Sequence, residues 1–163
     1  SLICADKILS KYTCIISYAD IFYEKDAVKI LKTSKIKNGI VMLSFKYWKE
    51  YWKKRFKNPL SDLETFRTNN KNQLVEIGKR TNSYKNIKGQ YMGIFRIDPN
   101  SWKKVKQHLF NNTKNLNKID ITTLFQLIIK KKICKIHVKS YKKKWFEIDN
   151  IKDYNLFKKS INL

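Results

Sequence analysis

Residues 15–28, IISYADIFYEKDAV, begin with an apolar run suited to a buried strand and end in a helical pattern. Between the two, Asp20 sits among small and aromatic residues. A strand leading through a short turn into a helix is the repeating unit of an α/β sheet. Asp20 has two readings: a loop or cap aspartate, or a metal ligand at the mouth of such a sheet. The question is sharpened by the overall balance of 36 Lys+Arg against 13 Asp+Glu, a net charge of +23.

Outward from this stretch, helix and strand keep alternating. Residues 1–11 read as helical and residues 12–18 as the strand that ends near Asp20. A helix is expected over about residues 25–34, with Asp26 in its first turn, where a negative charge favours the helix dipole. GIVMLSF (residues 39–45) reads as a buried strand, and KYWKEYWKKRF (46–56) as an aromatic, basic helix stopped by Asn58-Pro59. ETFRT and QLVEIG flank NNKN, whose turn chemistry predicts a hairpin. GQYMGIFRID (89–98) is a strand, and PNSWKKVKQHLF (99–110) a helix with Pro99 at its start. IDITTLFQLIIKKK (119–132) is a helix capped by Asp120 or Thr122. CKIHVKSY and KWFEI are strands, and residues 149–161 form a closing helix. No repeat, linker or low-complexity block interrupts the series, so residues 1–163 are expected to form one mixed α/β domain.

Several classes of function drop out on composition. No apolar run approaches the roughly 18 residues of a membrane span, and no partner membrane is expected. The first residues, SLICADKILSKY, lack the features of a signal peptide and read as the middle of an amphipathic helix. A chain cut from something longer is therefore expected. Cys4, Cys14 and Cys134 lack paired spacing and read as reduced residues of a cytoplasmic protein. His108 and His137 are isolated in the sequence from any nucleophile–base motif, so neither is read as catalytic. Only four of the basic residues are arginines (Arg55, Arg67, Arg80 and Arg96). Reading of base edges favours the bidentate arginine fork, so the composition argues against a specific nucleic-acid partner. Runs such as Lys142-Lys143-Lys144 remain able to attract phosphates non-specifically.

Three acids carry the candidate chemistry. Asp20 follows the first strand, and Glu147 and Asp149 lie in KWFEIDN between a strand and the last helix. Side chains two apart on a strand share a face, so Glu147 and Asp149 can converge on one ion. Magnesium takes hard oxygens, often one or two carboxylates with phosphates and water. Tyr47/Tyr51 and Trp48/Trp52 are pairs at helical spacing, read first as core-facing stripes. An aromatic cage for a quaternary ammonium is the functional alternative. Gly89 and Gly93 around Tyr91 permit close backbone approach to a ligand, although a strand bulge needs only one of them. No G-x-G loop able to cradle a triphosphate is present.

The ordered blocks SYADIFY, WKEYWKKRFKNPLSDLETF, LVEIGKR, IKGQYMGIFRI, IDITTLFQLI and KWFEIDNIKDY resemble the nucleotidyltransferases related to phosphocholine cytidylyltransferase, within the sugar-phosphate nucleotidyltransferase group. The resemblance runs over residues 1–157. It implies a Rossmann-like α/β fold, with a mixed sheet flanked by helices, and a Mg²⁺-dependent transfer. A small phosphate or phosphonate acceptor such as phosphocholine attacks the α-phosphorus of CTP, or of another nucleoside triphosphate, and pyrophosphate leaves. By the same resemblance Asp20, Glu147 and Asp149 hold the metal, no protein nucleophile is needed, and Tyr91, Gln90, Trp48 and Trp145 meet the acceptor. The Gly-rich nucleotide-binding segment that opens such enzymes is missing. The chain thus looks like the carboxy-terminal two-thirds of one, inactive by itself. Lys142-Lys143-Lys144 replaces the glycine that often precedes the family's second acidic motif. The alternatives are a lysine-rich, non-catalytic binder of nucleic acid or another polyanion, and a decayed remnant.

Overall fold

Every residue of strand β3 (Gly39–Phe45) is buried, and its alternation shows what lies on either side. Ile40 and Met42 belong to one apolar layer, whereas Val41, Leu43 and Phe45 belong to another. Successive side chains of a strand point to opposite faces, so an unbroken apolar run requires cover on both. The computed structural model describes residues 2–112 and 119–161. Ser1, which the sequence reading includes in the first helix, lies outside the described residues.

A 3₁₀ turn (Leu2–Ala5) runs into α1 (Asp6–Leu9), which precedes β1 (Cys14–Ser17). The central sheet has the order β1-β6-β3-β7, where β6 is Gln90–Ile97 and β7 is Lys135–Tyr141. β6 runs antiparallel to both β1 and β3, and β7 runs parallel to β3. This is the expected mixed sheet flanked by helices. Helices α4 (Pro99–Asn112) and α5 (Ile121–Lys130) cover one face through residues such as Trp102, Val105 and Phe125. The opposite face is covered by α2 (Asp26–Lys32), α3 (Trp48–Arg55) and α6 (Ile151–Ile161). Among the described residues no helix is long and apolar enough to cross a membrane.

Local chemistry fixes the ends of these elements. Asp120 caps α5 by accepting the Thr123 N–H at 2.7 Å. Asp98 accepts the N–H groups of Ser101, in the first turn of α4, and of Gly39, at the start of β3. Arg96 is 7% exposed on β6 and donates to the carbonyls of Leu31 and Ser34 at the end of α2. The hairpin of β4 (Glu64–Thr68) and β5 (Leu74–Arg80) forms as expected, antiparallel and packed against α5. Gly93, at φ +74°, marks a bulge: Met42 faces Phe95, but Ser44 faces Tyr91. One glycine at positive φ is what such a bulge requires.

Two features differ from the sequence reading. β1 is only half-buried rather than buried, because it lies at the edge of the described sheet. In addition, the stretch between Asp20 and the helix, read as a short turn, contains a strand. Ile21–Tyr23 form a three-residue strand, β2, antiparallel to β8 (Trp145–Glu147). Three apolar residues are too few to show a period of two, so the strand leaves no signature of its own.

Candidate functional site

At the carboxy-terminal end of β3, the hairpin, β6 and the end of β8 enclose a cleft of about 230 Å³. Tyr18, Gln90, Tyr91 and Gly93 form one wall, and Thr122 of α5 lies at the rim. Four carboxylate residues line it, Asp62, Glu64, Glu147 and Asp149, with no lysine or arginine among the described lining residues. Such a concentration of acid contrasts with the surplus of base in the chain as a whole.

The small β2–β8 sheet assembles the acidic end. Ile21 pairs with Glu147, and the Ile148 N–H donates to the Asp20 carbonyl at 2.9 Å. The main chain thereby sets the exposed Asp20 beside residues 147–149. Glu147 and Asp149 do converge, and the group they converge on is the guanidinium of Arg55. Its Nη1 lies 2.6 Å from Glu147 Oε2 and its Nη2 lies 2.7 Å from Asp149 Oδ2. Nε and Nη2 also reach the two carboxylate oxygens of Asp153, at 2.8 and 2.9 Å.

Arg55 and Tyr51 are four residues apart on α3, so they share a face. The Tyr51 hydroxyl accepts the Glu147 N–H at 3.0 Å and donates to the Glu147 carbonyl at 3.2 Å. One helix face therefore grips Glu147 by backbone and side chain together. Burial raises the Tyr51 phenol to about 12. Burial opposes the charge on Arg55, but the hydrogen bonds to Asp153 and Glu147 prevail and hold it protonated more firmly than usual. Burial raises the Glu147 carboxyl above its ordinary range, against the pull of Arg55. For Asp153 the balance reverses: burial pushes upward, and the Arg55 hydrogen bonds carry the net shift down.

The expected acceptor residues divide between two places. Gln90 and Tyr91 line the cleft; the Gln90 amide donates to the Glu64 carbonyl at 2.9 Å. The Tyr91 hydroxyl is buried with no hydrogen-bond partner among the described residues, its ring edge-on to Tyr18 and Phe125. Trp48 and Trp145 are 8% and 1% exposed and belong to the core layer behind the cleft rather than to its lining. The Trp145 indole stacks on Trp52 and donates its N–H to the Met92 carbonyl. Trp48 packs against Tyr84, so both tryptophans take part in aromatic packing within the core.

No group of three or more His, Cys, Asp or Glu side chains able to hold a metal occurs among the described residues. The donor chemistry present fits the kind of magnesium site in which one or two carboxylates act together with substrate phosphate. Asp149 is 51% exposed and Asp20 is exposed, so both offer hard oxygens, whereas Glu147 is 28% exposed; Arg55 engages one oxygen each of Glu147 and Asp149. Sequence reasoning missed Arg55, Asp62 and Glu64. A usable signal for Arg55 was present: an arginine, in a chain that otherwise uses lysine, four residues after a buried tyrosine.

The geometry can be set beside known proteins. The inositol-1-phosphate CTP transferase from T. maritima superposes with a TM-score of 0.68 at 18% identity, over 93% of this chain and 55% of that one. A putative glucose-1-phosphate thymidylyltransferase from Bacillus anthracis matches with a TM-score of 0.68 at 12% identity, over 95% of this chain and 56% of the other. This is a nucleotidyltransferase fold. Sequence likeness agrees with it: the CTP:phosphoglutamine cytidylyltransferase of Campylobacter jejuni is 36% identical over 129 residues. That alignment covers 74% of this chain and 49% of the relative, so the chain spans about half the length of the curated protein it matches. No family model matches the chain. Within the nucleotidyltransferase fold, the acid-lined cleft lies where the sheet, the hairpin and the 147–149 segment meet.

Proposed function

We propose that this chain forms the acceptor side of a cytidylyltransferase. A small phosphate- or phosphonate-bearing acceptor attacks the α-phosphorus of CTP; a new P–O bond forms, the bond to the β-phosphate breaks and pyrophosphate leaves. The observation that carries the reading is Tyr91, which lines a cleft walled by carboxylates and whose buried hydroxyl has no hydrogen-bond partner among the described residues. A buried polar atom without a partner is costly, and a ligand that hydrogen-bonds it removes the cost. The cytidylyltransferase relative supports CTP as donor.

In this reading Tyr91 donates its hydroxyl to the acceptor. Glu64 and Asp62 accept from N–H groups or meet a positive charge at the end of the acceptor remote from its phosphate. Such a wall disfavours a second anionic group there. Asp20 and Asp149 would hold Mg²⁺, which when bound offsets charge developing on the phosphates. The acceptor oxygen is itself the nucleophile, so no side chain need form a covalent intermediate. The groups that hold the triphosphate are expected outside these 163 residues, and the isolated chain is expected to turn over no substrate.

The test is pyrophosphate release by the full-length protein carrying this chain, with CTP, Mg²⁺ and a panel of phosphorylated amides, amino alcohols and sugars. Release that depends on one acceptor and disappears in Asp149→Ala supports the proposal. Release that no acceptor stimulates, or that Asp149→Ala leaves intact, contradicts it. A second reading, a lysine-rich polyanion binder, draws on a groove of about 720 Å³ rimmed by Lys37, Lys104, Lys132 and Lys135. It requires tight duplex or single-strand binding that collapses with salt and involves those lysines.

A further inference from the structure

We infer that Arg55 is a positioning residue for the divalent-cation site: anchored by Asp153, it fixes the direction of the Asp149 carboxylate. The inference rests on the proposed transfer and deepens it. Four hydrogen bonds from one guanidinium bind Glu147, Asp149 and both oxygens of Asp153. The Arg55 side chain is 1% exposed. Its charge centre lies 5.5 Å from the Tyr51 ring centroid, 5.6 Å from that of Trp52 and 5.1 Å from that of Phe56. The group is thus fixed from below by aromatics and from the sides by carboxylates.

The three carboxylates differ in what remains to them. Asp153 is 5% exposed and also accepts the Asp149 N–H at 3.2 Å and the Asn150 amide at 2.9 Å, so its acceptors are occupied. Glu147 gives one oxygen, Oε2, to Arg55 and is 28% exposed. Asp149 likewise gives one oxygen, Oδ2, to Arg55 and is half-exposed on the cleft. Arg55 therefore fixes the direction of the Asp149 carboxylate while leaving its Oδ1 free of the guanidinium. Lysine cannot reproduce this, because an ammonium lacks the planar fork that spans three carboxylates. Groups that orient a metal-binding carboxylate affect metal affinity without touching the metal.

The experiment uses the full-length protein and two readouts: the Mg²⁺ concentration for half-maximal turnover, and Mn²⁺ affinity with CTP present, read by electron paramagnetic resonance. Arg55→Lys is expected to weaken both by about tenfold or more, with circular dichroism showing a folded protein. Asp153→Asn, which lies off the cleft and holds Arg55 from behind, is expected to shift both in the same direction by a smaller factor. A folded Arg55→Lys protein with unchanged Mn²⁺ affinity overturns the inference. Should Arg55→Lys fail to fold, Asp153→Asn decides it by the same criterion. In wild-type protein, Mn²⁺ with CTP is expected to broaden the Arg55 guanidinium resonance, and a sharp resonance while metal is bound also overturns the inference. Wild-type protein that binds no Mn²⁺ and transfers no nucleotide overturns the proposed function with it, and this distinguishes the two failures.

Discussion

Two hollows at opposite ends of the central sheet are lined by opposite charge. At the carboxy end of β3 the cleft is lined by Asp62, Glu64, Glu147 and Asp149, with no base among its described lining. At the other end, beside Asn38 and the start of β7, the groove is rimmed by four lysines, with no acid among its described lining. His137 in that groove is held below the usual histidine range by burial and by Lys135 and Lys139. Composition alone accounts for the groove, since lysine is abundant everywhere on this chain. It does not account for the cleft, where carboxylates gather against the trend and are held individually. Arg55 binds two of them, and the Trp52 indole N–H donates to Asp62 at 2.9 Å. Acids held in place within a basic protein are the ground on which the proposed site is put at this end.

The sharpest way to break this contrast is to change one charge at each end. Asp149→Ala is expected to lower turnover of the full-length protein by at least ~100-fold. The pair Lys132→Glu and Lys135→Glu in the groove is expected to leave it within about twofold, as for surface changes away from a site. Equal losses would erase the distinction. Next in size is Trp145→Phe, which removes the indole N–H from the buried Met92 carbonyl. A loss of about 1–3 kcal/mol in urea-unfolding stability is expected, with the acceptor KM unchanged. A raised KM at full stability would return Trp145 to the acceptor site.

A smaller effect is expected at the groove. The Lys132→Glu, Lys135→Glu variant should leave heparin at lower salt than wild type, because fewer counterions are released on binding. Unaltered elution would show that other lysines carry the polyanion contact. Smallest is the acid limb of stability. Asp153 is held below its ordinary 3.8, so the stability it contributes is fully present above that value and is lost as pH falls through the lower folded value. Urea midpoints of wild type and Asp153→Asn should therefore differ above about pH 4 and converge below it. Midpoints that stay equally far apart at pH 3 and pH 6 would contradict the sign of this shift.

Much of the frame was legible from residues 39–45, from the NNKN hairpin and from the Asp120 cap, because each carries its own local signature. The way the acids come together was not. Asp20 reaches residues 147–149 through β2, a strand of three residues whose pairing is decided more than a hundred positions away. Convergence of Glu147 and Asp149 was readable from their spacing, but the cation that meets them sits on a different helix. The scarcity of arginine had a second meaning: Arg55 and Arg96 each take several acceptors that a lysine could not span. Trp48 was ambiguous because an aromatic stripe at helical spacing serves a core as readily as a ligand, and Trp145, on a strand, was tied to the acceptor by resemblance alone.

The most direct measurement is a residue-resolved amide NMR titration of the full-length protein with phosphorylated acceptors in the presence of CTP and Mg²⁺. The account requires saturable shifts at Gln90, Tyr91, Gly93 and Asp149, with Lys135 and His137 unmoved. Shifts confined to the lysine-rimmed groove, with the cleft silent, would contradict it.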